Sequence, residues 1–172
     1  MLAQLLGFFS LRHGTGEPHE SVLVRLAKWH DYDRLLAFYA QHGQDLLLRG
    51  PFERLRTRAR LRLFDRTQVR IIYLEDGEAN IIAAGMVSGR QTPREFVGEI
   101  DYILVHPTMR GRGLSRALMN QLHEEAEAMG ITKLRLTSEP HHTAARTLYA
   151  SMGYQLTEGS DRHYTYTLPK RE

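Results

Sequence analysis

A chain of 172 residues with 42% hydrophobic and 25% charged residues has the make-up of one globular core, with no second domain expected. It contains no cysteine, which excludes disulfides, a thiolate nucleophile and a cysteine-based zinc site. The net charge of +3 is mild, and no apolar run approaches the roughly eighteen residues that span a bilayer.

Residues 1–20 read as an N-terminal extension, with a single domain over 21–172. Met1 to Phe9 is apolar but short, without a basic start or a small-residue cleavage site, so no signal peptide is expected and a cytoplasmic location is. Val22 to Leu26 is predicted as a first strand. Asp31 is a candidate N-cap before Leu35, Leu36, Phe38 and Tyr39, which suit an amphipathic helix. From Arg49 to Arg70 the chain carries eight arginines against Glu53 and Asp65. Leu55, Ala59 and Leu63 fit a helix there, although Arg54, Arg56, Arg58, Arg60 and Arg62 alternate as a strand would; Pro51 favours the helix. The arginines read as a solvated face or as a surface for an acidic substrate or partner. Without aromatics between Arg54 and Arg62, nucleic-acid binding is not expected.

Further on, Val69–Glu75 and Asn80–Ser88 flank Asp76-Gly77, a hairpin signal. Residues 89–97 read as a polar turn region. Ile100, Tyr102 and Leu104 alternate with Asp101, Ile103 and Val105 as in a largely buried strand. By period two, Glu99, Asp101, Ile103 and Val105 share one face. Leu114, Leu118, Leu122 and Ala126, joined by Ala117, make the apolar face of a long helix that closes at Gly130. A strand over Lys133–Thr137, a helix over Thr143–Met152 and a last strand over Tyr164–Leu168 complete the chain. Such an order implies an α/β architecture around one mostly antiparallel sheet.

The segment with the most chemistry is Val105-His-Pro-Thr-Met-Arg-Gly-Arg-Gly-Leu-Ser115, which joins the buried strand to the long helix. A glycine turn feeding a helix start leaves backbone N–H groups free, and the helix dipole favours an anion there. On the later helix Ala145, Leu148, Tyr149 and Met152 share a face. By spacing alone Tyr149 is a core tyrosine with a satisfied hydroxyl.

Arg110-x-x-Gly113-x-Ser115 after a Val-x-Pro strand end resembles the acyl-CoA pyrophosphate loop of the GNAT superfamily of N-acetyltransferases. Ala145-x-x-Leu148-Tyr149-x-x-x-Gly153-Tyr154 resembles that superfamily's second motif, in the right order and spacing. The resemblance covers roughly residues 99–156. It implies the GNAT fold, an α/β (α+β) domain whose mixed, mostly antiparallel sheet has helices on both faces and a splayed central strand pair around the pantetheine arm. It also implies an acetyl-CoA-dependent N-acetyltransferase that works by direct attack of a primary amine, with acetyl-CoA as cosubstrate and no metal.

By the same resemblance the amides of Arg110, Gly111, Arg112, Gly113, Leu114 and Ser115 cradle the pyrophosphate, and Ile103, Leu104 and Val105 hold the acyl end. Ser115 stands where the family has glycine or alanine. His142 replaces an asparagine that touches the pantetheine arm, and Ala145 and Tyr149 line the same site. Tyr149 is the implied proton donor to the departing thiolate.

The amine needs a base, and many family members carry an acid where Asp101 falls, with Glu99 the nearest rival. A carboxylate is a poor base unless burial raises its pKa. An ion pair with a neighbouring arginine is an equally good reading of either acid, and His141 and His142 are further candidates. His13, His19, His30 and His42 show no metal spacing. The expected partners are acetyl-CoA and a small-molecule or peptide amine, with no membrane and with a homodimer left open. The alternative is a non-catalytic GNAT-fold protein that binds acyl-CoA or docks a partner.

Overall fold

The computed structural model describes residues 4–11, 20–42 and 69–169. Its strands are β1 (Gln4–Leu11), β2 (Glu20–Leu26), β3 (Val69–Glu75), β4 (Ile81–Gln91), β5 (Phe96–Val105), β6 (Lys133–Thr137), β7 (Gln155–Leu156) and β8 (His163–Thr167). The helices are α1 (Tyr32–His42), α2 (Leu114–Ala128) and α3 (Thr143–Ser151), with short 3-10 turns at Trp29–Asp31 and Pro107–Met109. The strands form one sheet in the order β1-β2-β3-β4-β5-β6-β8-β7. Among the described residues only the β5–β6 pair is parallel. That pair stops at Ile100↔Leu136, and beyond it β5 runs on to Val105 paired with β4 alone. The central strands are therefore splayed, and helices lie on both faces.

Two apolar clusters mark the faces. Leu114, Leu118, Met119, Leu122 and Ala126 of α2 pack with Val87, Ile100, Val105, Leu134 and Leu136, and Tyr149 of α3 joins them. On the other side Leu35, Phe38 and Tyr39 of α1 pack with Tyr73, Ala84, Met86, Tyr102 and Leu104. The four-residue spacing of the α2 leucines thus becomes the larger core, and their side chains are fully buried. Within the sheet they close over Gly85, where an added Cβ would stand 2.5 Å from Ile103 Cδ1. A larger residue there requires the end of the Ile103 side chain to move and presses on Leu118 and Leu122.

The two faces meet at a bulge in β5 that changes the sequence reading. Ala84 pairs with Leu104 and Met86 with Asp101, so β5 carries one residue more than β4 over this stretch. Tyr102 absorbs it with φ of +59°, rare for a residue with a side chain. The extra residue breaks the period-two rule. Asp101 lies with its partner Met86 on the α1 face, whereas Ile103 and Val105 lie on the α2 face. The expectation that Glu99, Asp101, Ile103 and Val105 share a face is therefore corrected. Tyr39 secures the bulge by donating a 2.7 Å hydrogen bond from its buried hydroxyl to the Tyr102 carbonyl.

Other boundaries shift for local reasons. Gln4–Leu11, read as part of an extension, pairs with β2 along its length and is an edge strand of the sheet. The hairpin expected at Asp76-Gly77 is present, β3 pairing antiparallel with β4, and its connection is a five-residue turn over 76–80. The Asp76 carboxylate accepts from the Glu78 and Asn80 amides, and Ala79, not Gly77, takes the positive φ. The polar region of 89–97 shrinks to 92–95, closed by the Thr92 and Glu95 backbones. Asp31 is no forward cap; its carboxylate turns back to the Lys28 amide at 2.8 Å and accepts from the Tyr73 hydroxyl. The short β7 was not foreseen. The helix read over residues 50–64, and all of the arginine cluster but Arg70, lie outside the described residues.

Candidate active site

Beyond Val105 the chain passes through the Pro107–Met109 turn, and Gly111 and Gly113 then adopt φ of +76° and +81°. Gly113 is the N-cap of α2, with no side-chain cap and no acid in the first turn. A Cβ at either glycine would meet nothing within 4 Å, so what glycine supplies at both positions is the left-handed backbone rather than space. The first amides of a helix have no partner within it, an arrangement that favours an anion over a cation. Leu114 is buried in the core, leaving only its backbone for binding, while Ser115 is half-buried and Gly111 to Gly113 are exposed. Arg110 is exposed, and its Nε lies 3.5 Å from the Val105 carbonyl, folded back against the strand end. Arg112 is exposed as well.

The splay opens beside this loop. Of the three residues named at the acyl end, Ile103 and Val105 turn to the α2 face and Leu104 to the α1 face. Tyr149 projects from α3 into the α2-face cluster and is 7% exposed. Its ring lies 5.9 Å from Tyr154 and 6.1 Å from Tyr164. Burial, then Tyr164, pushes its phenol up to about 12. Arg146 Nε donates to the Tyr164 hydroxyl at 2.7 Å, tying α3 to β8, and Tyr154, just past α3, is hydrogen-bonded to His123 Nε2 of α2 at 2.8 Å. Ala145 is half-buried on the same helix, and His142 is exposed at its N-cap beside His141, ring centroids 4.2 Å apart.

Across the sheet, Asp101 is half-buried and Glu99 exposed. Burial, then the charge of Glu99, raises the Asp101 carboxyl to about 6. The structure thus brings Asp101 and Glu99 together on one face and Tyr149 onto the other, with the splayed strands between them.

A feature the sequence reading did not use is a cavity of about 510 Å³ on the α1 side, bordered by Phe38, His42, Ile82, His106 and Met109. His42 and His106 meet edge to face at 4.2 Å, and burial, then His106, lowers the His42 pKa. No sequence signal pairs two histidines so far apart; only the path of α1 does. Among the described residues no cluster of His, Cys, Asp and Glu could hold a metal, and no helix is long and apolar enough to cross a membrane.

Residues 29–154 match the model of the acetyltransferase (GNAT) family. A mycothiol acetyltransferase from Beutenbergia cavernae is 30% identical over 102 residues, covering 59% of this chain and 33% of that protein. The chain thus spans about a third of the length of that curated relative. The GNAT domain of S. lividans PAT has a TM-score of 0.71 at 18% identity, over 94% of this chain and 96% of that one. The Salmonella typhimurium protein yncA, solved with its cofactor acetyl-CoA, has a TM-score of 0.67 at 18% identity, over 87% and 95%. At these identities the solved structures show a shared fold. With the family model matching most of its length, the chain belongs to the acetyltransferase (GNAT) family.

Proposed function

We propose that the protein is an N-acetyltransferase that moves the acetyl group of acetyl-CoA directly onto a primary amine. The observation that carries this is the gap beyond Ile100↔Leu136, which opens next to the glycine-capped start of α2. The residues present fit the cosubstrate: the first amides of α2 and the guanidinium groups of Arg110 and Arg112 suit phosphates, and a gap between strands suits an extended amide-bearing arm. Acetyl-CoA supplies the activated acyl group.

The chain's own groups divide the remaining work by face. Asp101, on the α1 face, takes the proton of the attacking amine. Its pKa of about 6 leaves it ionised at neutral pH yet closer to the working range than an ordinary carboxylate. Burial chiefly keeps that pKa high, and repulsion from Glu99 adds to it. Backbone amides of the unpaired side of β5 near Leu104 hold the carbonyl oxygen. Tyr149, on the α2 face, offers its proton to the sulfur as the C–S bond breaks and the C–N bond forms. With the phenol at about 12, full transfer to a thiolate of pKa ~8.5 is well uphill, so the phenol acts chiefly as a hydrogen-bond donor to the developing charge. Amine and leaving group thereby reach the thioester from opposite sides of the sheet.

Thiol release from acetyl-CoA, measured against a panel of small amines and peptides, tests the reading. At least one amine should release thiol in proportion to acetylated product. Tight binding of acetyl-CoA with no release from any amine favours a binding protein instead.

A further inference from the structure

Two buried side-chain atoms lack a hydrogen-bond partner among the described residues, His30 Nε2 and Ser138 Oγ. His30 Nε2 still lies 3.7 Å from an Asp31 carboxylate oxygen. Ser138 has no such compensation and is 5% exposed. A buried hydroxyl without a partner is unfavourable, and native cores seldom keep one without a use.

Its place in the fold supplies the use. Ser138 directly follows β6 and lies two residues past Leu136, the last residue paired with β5. It stands on the β6 wall of the splay, across from the bulged end of β5. Its amide donates to the Arg162 carbonyl at 2.9 Å, so the β8 side holds it in line with the strand. Alternation along β6 gives it the face of Leu134 and Leu136, whose cluster contains Tyr149 and Tyr164. Apolar neighbours there offer nothing to bond; an extended ligand with amides does.

We propose that the Ser138 hydroxyl is a positioning contact for the pantetheine arm, hydrogen-bonded to an amide of that arm where it passes between β5 and β6. This rests on the acyl-CoA reading given above and adds to it a residue on the strand opposite the glycine loop. A hydroxyl both donates and accepts, so it serves either the carbonyl or the N–H of that amide. By holding the arm, Ser138 sets how far the thioester reaches toward Tyr149 without itself touching the reacting atoms.

Calorimetric titration of wild type and Ser138→Ala with CoA, acetyl-CoA and adenosine 3′,5′-bisphosphate tests this. The bisphosphate keeps the phosphate end of the ligand and lacks the arm. The alanine variant should bind CoA and acetyl-CoA about three- to tenfold more weakly, the worth of one neutral hydrogen bond. It should bind the bisphosphate as the wild type does, and melt no earlier than wild type without ligand, because an unpaired buried hydroxyl has been removed. Unchanged CoA affinity overturns the proposal. So does an equal loss for all three ligands, which places the effect on the phosphate loop, or a loss confined to acetyl-CoA, which moves the contact to the thioester. Ser138→Cys, near in size with a weaker donor, should show the same split and serves if the alanine variant is unstable. Failure of the wild type itself to bind any CoA refutes the acyl-CoA reading, and this assignment with it.

Discussion

Tyr149 and Asp101 differ in what burial does to them. Burial raises both pKa values, which strengthens a carboxylate as a base and weakens a phenol as an acid. Tyr149→Phe should lower kcat about a hundredfold, the usual loss when one hydrogen-bond donor to a developing charge is removed, and change acetyl-CoA affinity by less than about threefold. Single-turnover kinetics beside an equilibrium titration separates the two effects. Asp101→Asn should remove the rise of kcat/KM through pH about 6 that its carboxyl gives the wild type. Glu99→Asn should keep that rise and move it to lower pH, since the repulsion that holds Asp101 up is gone. Loss of the rise in the Glu99 variant alone would reverse the assignment.

Stability gives an independent reading of the same carboxylate. Because the folded pKa lies above the ordinary carboxylate value of 3.8, the native state binds the proton more tightly than the unfolded chain. The contribution of this group to stability therefore falls as pH rises from about 4 to about 6 and stays low above that window. Asp101→Asn should stabilise the protein at pH 7 to 8 by on the order of 2 kcal/mol, and the gain should vanish below the ordinary carboxylate range. Denaturant melts at both ends of the window check this.

Among the elements, β5 shows most clearly what the chain alone reveals. Its existence, its end at Val105 and the glycine loop after it are legible, because apolar alternation and paired glycines have few other uses. The bulge is not. Tyr102 takes the extra residue at positive φ although neither glycine nor asparagine marks the spot, and the apolar alternation runs through it unbroken. What holds it is tertiary: the Tyr39 hydroxyl from α1 on one face and Ile103 over Gly85 on the other. Family resemblance singles out Asp101 as a candidate, and periodicity puts it on the wrong face. The hairpin at Asp76 is legible from its dipeptide, but its turn geometry is not, because the Asp76 carboxylate sets it. Tyr39→Phe strips the Tyr102 carbonyl of its buried donor and should cost about 1–2 kcal/mol in a denaturant melt. If the bulge also aims Asp101, the same variant should lose catalytic rate; full activity would show that β5 keeps its shape without α1.

For the molecule as a whole, the sheet is a partition with a slot. One face presents α1 and the Asp101 carboxylate, the other α2, α3 and the Tyr149 phenol, and the parting of β5 from β6 joins them. The slot could be inferred only from the family resemblance, since no local pattern states that two parallel strands separate after four paired positions. Ser138 was missed for the same reason, because a lone serine after a short strand carries no signal until its burial is known. Everything proposed here depends on the ligand entering at the glycine loop. Calorimetric titration of acetyl-CoA into wild type and Gly113→Val therefore bears on the central claim most directly. A Cβ at residue 113 meets no atom within 4 Å, so the variant should fold, at a cost of about 1–3 kcal/mol for its positive φ or for the loop's escape from it. Either way the loop geometry at the start of α2 is disturbed, and affinity should fall at least about tenfold while circular dichroism stays native. Unchanged affinity in a folded Gly113→Val protein would place the phosphates elsewhere and contradict the account.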